Sequence, residues 1–230
     1  MRSILFLVLL GTGINCVSQS VQNNFSGDGR ANAVLNFNGD IINTIKPDNI
    51  AGTPLLSERW DTGYVKFTGN RIAHHIPLQF NLATNTLYFQ KNQNRYKFVD
   101  RVIEFAFITL VNGEQRQYLF RSNYPSNGNY NDLVFYEVAA ENKEVQFLKY
   151  CSKKIRENYV YNAPAEKEYF YREELFLYTI QTKTFHPISN KKSILAALPQ
   201  YKSQIEALCD KNKWSLKEAG QIAELIQQLH

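Results

Sequence analysis

Ile76-Pro77-Leu78-Gln79-Phe80-Asn81-Leu82 alternates apolar and other side chains at period two. Asn85 marks a turn, and Leu87-Tyr88-Phe89 resumes the alternation before the polar stretch Lys91-Asn92-Gln93-Asn94. Successive side chains of a strand point to opposite faces, so this pattern lays one apolar face against a core and leaves the other wet. Turn residues break the alternation every eight to twelve positions, which is the pattern of an antiparallel meander.

The same reading extends in both directions. Upstream, Tyr64-Val65-Lys66-Phe67 ends at Gly69-Asn70. Downstream, Tyr96 and Phe98 precede the strongly apolar stretch Val102 to Ile108. Asn112-Gly113 is a hairpin turn onto Gln117 to Phe120, and Asn123 to Asp132 reads as a loop. Leu133 to Val138 and Val145 to Leu148 form a hairpin over Glu141-Asn142-Lys143. A long strand or strand pair covers Tyr169 to Ile180, with Phe185 to Ile188 as a candidate partner.

At Asn190 the period changes to 3.6. Ser189 or Asn190 caps a helix carrying Ile194, Leu195 and Leu198. Pro199 opens a second helix with Tyr201, Ile205, Leu208 and Cys209. Ser215-Leu216-Lys217-Glu218 has the spacing of a capping box, and Ile222, Leu225, Ile226 and Leu229 make an apolar stripe behind it. Gly220 inside this helix points to close packing. The fold class is therefore α+β: an antiparallel β meander or partial barrel followed by a C-terminal three-helix segment. An outer-membrane barrel needs strands throughout, and this helical end argues against one.

The chain opens with Met1-Arg2-Ser3 and the apolar run Ile4 to Leu10, then Gly11-Thr12-Gly13. One positive charge, a short hydrophobic core and small residues are the layout of a secretory signal. The run is shorter than the ~20 apolar residues a membrane-spanning helix needs. Cleavage after Ser18 or Ser20 leaves a mature chain outside the cytoplasm, in the periplasm or secreted. Acylation at Cys16, giving an outer-membrane lipoprotein, is the weaker alternative, because Asn15 precedes it where a small residue is usual. The expected organisation is a signal peptide over 1–20, a flexible Asn-, Gly- and Ser-rich leader over 21–32, a β domain over 33–188 and a helical segment over 189–230. Ala33 to Phe37 reads as a short strand before a turn at Asn38-Gly39. Residues 43–58, with Pro47 and Pro54, read as irregular.

Composition bounds the function. Apolar residues make up 44% of the chain, so it can bury a core, and 14 Tyr with 15 Phe favour β structure. Without Arg2 the balance is 25 Lys+Arg against 21 Asp+Glu, a net of +4. The basic pairs Lys153-Lys154 and Lys191-Lys192 are isolated and have acids nearby, so no nucleic-acid partner is implied.

The stretches Gly52 to Leu56, Gly63 to Phe67, Ile76 to Leu82 and Asn85 to Phe89 resemble a recurrent N-terminal block in a family of uncharacterised, signal-bearing envelope proteins of Gram-negative bacteria. The hairpin Phe135 to Val138 with Val145 to Lys149, and the tail Lys191 to Leu198 with Leu225-Ile226, are similar to later blocks of that family. The resemblance implies an exported protein and carries no activity or functional residue.

Candidate chemistry is sparse. His74-His75 is a local oddity, but strand neighbours face opposite ways and zinc needs three or four converging ligands. His186 would converge only through the fold, and His230 is terminal. Cys151 and Cys209 are either a disulfide joining helices to sheet or two buried free thiols; two cysteines make no framework, which favours thiols. A nucleophilic Cys151 or Cys209 needs a base within reach. Glu166, Glu168, Glu173 and Glu174 flank Tyr169, Phe170 and Tyr171. They read as a glycosidase pair only if two of them face each other across a cleft. Exposed tyrosines are able to stack on sugar rings. There is no Gly-x-Ser-x-Gly, His-Glu-x-x-His or Gly-rich phosphate loop, so catalytic residues are unassigned and no cofactor or metal is expected.

These observations predict a non-enzymatic envelope protein that binds a small ligand or another envelope protein, with the helical tail as a candidate docking surface. A secreted hydrolase acting on a polysaccharide or peptide is the alternative, and a carrier holding an apolar ligand inside a curved sheet is a third.

Overall fold

The computed structural model describes residues 38–43, 49–111, 113–159, 161 and 166–229. The expected signal peptide with Cys16, the leader, the strand over 33–37 and His230 lie outside the described residues. Strands β1 (Gly39–Ile41), β2 (Ile50–Ala51), β3 (Asp61–Phe67), β4 (Ile72–Asn81), β5 (Thr86–Lys91) and β6 (Asn94–Phe98) come first. After β7 (Val102–Val111) and β8 (Glu114–Arg121) come β9 (Tyr136–Glu141), β10 (Val145–Asn158), β11 (Glu166–Thr179) and β12 (Thr184–Ile188). They form one sheet in the order β1-β6-β5-β4-β3-β7-β8-β9-β10-β11-β12, with β2 beside β11 as the one parallel pair among the described residues. The sheet is not closed, so the architecture is the α+β partial barrel that the alternation predicts.

Geometry forces the first half of the sheet to roll. Only residues 99–101 join β6 to β7, yet β5, β4 and β3 lie between them. Laid flat, four steps between strands would separate them by ~19 Å. The four peptide steps from Phe98 to Val102 reach only ~14 Å. The strands therefore curl, and rings from three of them meet inside: Phe67 lies 5.7 Å and Phe89 4.5 Å from Phe98, centroid to centroid. The curl is filled by Phe80, Phe105, Phe107 and Phe120, all at most 3% exposed.

Most turns fall where the sequence puts them. Asn85 takes φ 50°, and Asn92 and Gln93 take φ 50° and 65° between β5 and β6. Asn38-Gly39 is a correction: Gly39 begins a strand instead of a turn. A Cβ there would lie 2.6 Å from the Phe89 ring, so glycine is needed for close approach. The irregular stretch around residue 50 also contains the short strand β2.

The β9–β10 hairpin carries the decisive irregularity. Glu141 pairs with Gln146 and Ala140 with Phe147, then Val138 with Leu148 and Glu137 with Lys149. Ala139 is an extra residue, a β-bulge. Four residues apart in a regular strand, Glu137 and Glu141 would share a face; the bulge puts them on opposite faces. Beyond this point β10 and β11 run on together, paired over all fourteen residues of each.

The helices α1 (Lys191–Ala197), α2 (Lys202–Asn212) and α3 (Ala219–Gln228) close the core. Asn190 caps α1, accepting from the Ser193 N–H, and a 3-10 turn at Pro199–Tyr201 leads into α2. Ile194, Leu198, Ile205, Leu225 and Ile226 pack against Val145, Phe147 and Leu177 of the sheet. The Asn142 amide donates to the carbonyls of Ile226 (3.0 Å) and Leu229 (3.3 Å), fastening the hairpin turn to the end of α3. The helical tail is thus a wall of the core.

Two helical expectations fail. The Ser215–Glu218 capping box does not form; α3 starts at Ala219, and the Gln221 side chain accepts instead from the Leu216 N–H at 2.8 Å. Leu216 is fully buried with φ 55°, so the chain turns inward there instead of running straight into the helix. Gly220 packs against nothing: a Cβ at that position would meet no atom within 4 Å. Gly220→Ala should therefore stabilise the protein by up to about 1 kcal/mol, read as a raised urea midpoint with an unchanged slope.

Candidate functional site

On the outer face of the sheet, β3, β7, β8, β9 and β10 contribute polar side chains to one continuous network. The Tyr64 hydroxyl donates to Glu104 Oε1 at 2.8 Å. Arg121 donates from Nε to Glu104 Oε2 (2.8 Å) and from Nη1 to Glu141 Oε2 (2.9 Å). Gln146 Nε2 donates to Glu141 Oε2 at 2.7 Å, and Tyr124 donates to Gln146 Oε1 at 2.9 Å. Glu104 and Arg121 are direct cross-strand partners, and so are Glu141 and Gln146.

The network borders a cleft of about 300 Å³. Glu104, Arg121, Asn123 and Tyr124 line it, with Lys66 and Tyr178 reaching it from β3 and β11. Behind its aromatic side lies a cluster of Tyr124, Tyr136, Leu148, Phe176 and Tyr178, flanked by Phe185; the Tyr124 and Tyr178 rings meet at 4.9 Å and 76°. Burial works against the charge of Arg121, but the hydrogen bond to Glu141 and its neighbouring charges more than offset this and keep it protonated. Burial alone would raise the Glu141 carboxyl; the N–H groups of Arg121 and Gln146 outweigh it and hold the group below its ordinary value. Burial pushes the Tyr64 and Tyr124 hydroxyls up.

The inner face carries a second charged cluster, wedged between the helix-covered core and the curled core. Val145, Phe147, Lys149 and Cys151 follow one another on this face of β10. Lys149 Nζ lies 3.2 Å from both Glu137 Oε2 and Glu173 Oε2. Arg116 Nη2 donates to Glu137 Oε1 at 2.9 Å, with its guanidinium 4.5 Å from the Tyr118 ring. The Cys151 thiol donates to Glu137 Oε2 (3.3 Å), and the Tyr171 hydroxyl contacts both Cys151 Sγ (3.1 Å) and Glu173 Oε2 (3.0 Å). Burial would lower the Lys149 ammonium, but Glu137 and the other negative groups around it raise it. Burial first, then Glu137, pushes the Cys151 thiol up to about 12. It stays protonated at neutral pH, whereas a nucleophile needs the thiolate.

The residues singled out by the sequence scatter. His74 and His75 are exposed and together oppose Tyr64 across a bulge, with His75 at φ 57° and their rings 6.4 Å apart. His186 Nε2 sits 3.1 Å from Thr179 Oγ1. Among the described residues no group of three or more His, Cys, Asp or Glu is placed to hold a metal. Cys151 and Cys209 are free and buried, in different cores. Glu173 joins the inner cluster while Glu174 accepts from Tyr130 at 2.8 Å, and Glu168 pairs with Arg156 along the ribbon. Lys153 departs from a solvated surface: its ammonium donates to the carbonyls of Thr53 (3.0 Å) and Leu55 (2.6 Å).

A larger hollow of about 440 Å³ lies between Leu87, Phe98, Val99, Leu133 and Phe135. Of its rim charges, Arg101 is engaged with Asp132 and Asp100 with Arg71, while Lys97 has no ion-pair partner within 4 Å among the described residues.

No family model matches the chain, and no curated protein or solved structure shows significant similarity to it.

Two measurements test the clusters. Removing one partner of a buried ion pair costs about 3–5 kcal/mol. Glu137→Leu should cost that much in urea unfolding, and adding Lys149→Met should recover part of the loss, because no charge is then left stranded. On the outer face, Glu141 has a lowered carboxyl pKa. Its stabilising contribution is complete above the ordinary value of 4.5 and lost as pH falls through the lowered one. Glu141→Gln should flatten the acid side of the stability–pH profile below that value.

Proposed function

We propose that this chain is an exported envelope protein that works by binding, and that a small polar ligand sits in the cleft beside Arg121. The leading peptide and the resemblance to signal-bearing envelope proteins support export. Among the described residues no helix is long and apolar enough to cross a membrane.

The observation that carries the binding reading is the pre-assembled wall of the cleft. Tyr64, Glu104, Arg121, Glu141, Gln146 and Tyr124 hold one another in place by side-chain hydrogen bonds, so a ligand would meet groups already ordered. A hydrolase needs a carboxyl kept protonated as an acid, or an activated nucleophile. Here Glu141 is held low and Cys151 is held high, which favours binding. A small ligand also fits better than an envelope protein docked on the tail, since α1–α3 are committed to covering the core.

Expression in a Gram-negative host should place the processed protein in the periplasmic fraction, with its N-terminus at Gln19 or Val21. A calorimetric screen of sugars, amino acids and nucleosides should find a ligand whose binding is lost in Arg121→Ala. Retention of an unprocessed chain in the cytoplasm would refute export. Binding untouched by Arg121→Ala would refute this cleft.

A further inference from the structure

Resting on that reading of the cleft, a census of its donors and acceptors narrows the ligand. The cleft's side-chain acceptors each already hold a donor. Glu104 uses Oε1 for Tyr64 and Oε2 for Arg121, and Gln146 uses its oxygen for Tyr124. Donors remain open. Lys66 has no ion-pair partner within 4 Å among the described residues. Arg121 is occupied, by Glu104, Glu141 and Tyr124, but the Asn123 side chain is engaged only through its oxygen, by Arg101 at 3.1 Å.

The most telling group is Tyr178. Its side chain is 7% exposed and its ring is sealed in the aromatic cluster. Its residue lines the cleft, yet its hydroxyl has no hydrogen-bond partner among the described residues, although it is not among the fully water-excluded polar atoms. A partly accessible hydroxyl on a residue that lines the cleft is placed to meet water or a ligand there.

The charges agree. Lys66 and Arg121 bring two positive charges to the lining, against one negative charge on Glu104; Glu141 holds Arg121 from outside it. We propose that the cleft binds a small organic oxyanion, a carboxylate or phosphate on a polar body, with Lys66 as its counter-charge and Tyr178 and Asn123 donating to its oxygens. The cleft volume, at the small end of ligand sites, suits a body the size of a single sugar ring.

Calorimetric titration of the purified full chain tests this with four probes: glucuronate, glucose 6-phosphate, inorganic phosphate and glucose. The expected result is binding of glucuronate or glucose 6-phosphate at least about tenfold tighter than glucose, the ratio expected of a hydrogen-bonded charge. The first two tell carboxylate from phosphate, and inorganic phosphate shows whether the polar body contributes. Lys66→Gln should erase the preference for the anion. Tyr178→Phe keeps the ring packing, so it should weaken anion binding several-fold while leaving the melting temperature within a few degrees. Glucose binding as tightly as the anions overturns this inference and leaves the binding reading intact. So does an anion preference that survives Lys66→Gln. Failure of all four probes overturns the inference, and the wider Arg121→Ala screen then decides the fate of the cleft itself.

Discussion

A single extra residue, Ala139, decides what both faces of the sheet can do. Without it, Glu137 and Glu141 would point the same way. With it, Glu137 turns inward to meet Lys149 and Arg116, and Glu141 turns outward to meet Arg121 and Gln146. One-residue shifts exchange the faces of everything downstream, so the bulge also fixes which of Phe147 and Leu148 faces the helices. The buried charges in turn hold the register. Slipping the hairpin by one position would bring Lys149 out of reach of Glu137 and leave a buried carboxylate with one partner fewer.

The two clusters differ in how completely they are closed. Inside, Arg116, Lys149, Glu137 and Glu173 balance in charge, and Cys151 and Tyr171 take up remaining hydrogen-bonding positions. Such an assembly specifies a register and has little chemistry left over. Outside, the carboxylates are satisfied while Lys66, Asn123 and Tyr178 keep unused donors. The distinction between structural and functional polarity therefore rests on surplus valence, since burial alone would rank the inner cluster first.

Much of the scaffold is legible before any coordinates. The β7–β8 hairpin pairs Val111 with Glu114, and counting back from there places Glu104 opposite Arg121, so half of the cleft network is within reach of the sequence. The other half was hidden. Ala139 looks like any small strand residue, and without its bulge Glu141 and Lys149 fall on the wrong faces. Lys66 and Tyr178 lie far apart in the chain and meet only because the sheet curls. The helical tail was readable as helices, but its role was not: period 3.6 shows an apolar stripe without showing what it covers. His74-His75 drew attention as a pair and proved to be the wide side of a bulge.

The ribbon of β10 and β11 carries one more implication. On its outer side β11 is paired with β2 at residues 167 and 168 and with β12 from residue 175 onward, and among the described residues 169–174 have no strand beside them. An open edge of this kind templates the addition of foreign chains. Tyr169-Phe170-Tyr171 would be a sticky stretch by itself, but Arg172-Glu173-Glu174 completes it with three charges in succession. Exchanging Arg172 for a neutral residue, with Glu173 left on its bridge to Lys149, would surface as fibre formation and lost solubility, in a molecule whose native fold was otherwise unharmed.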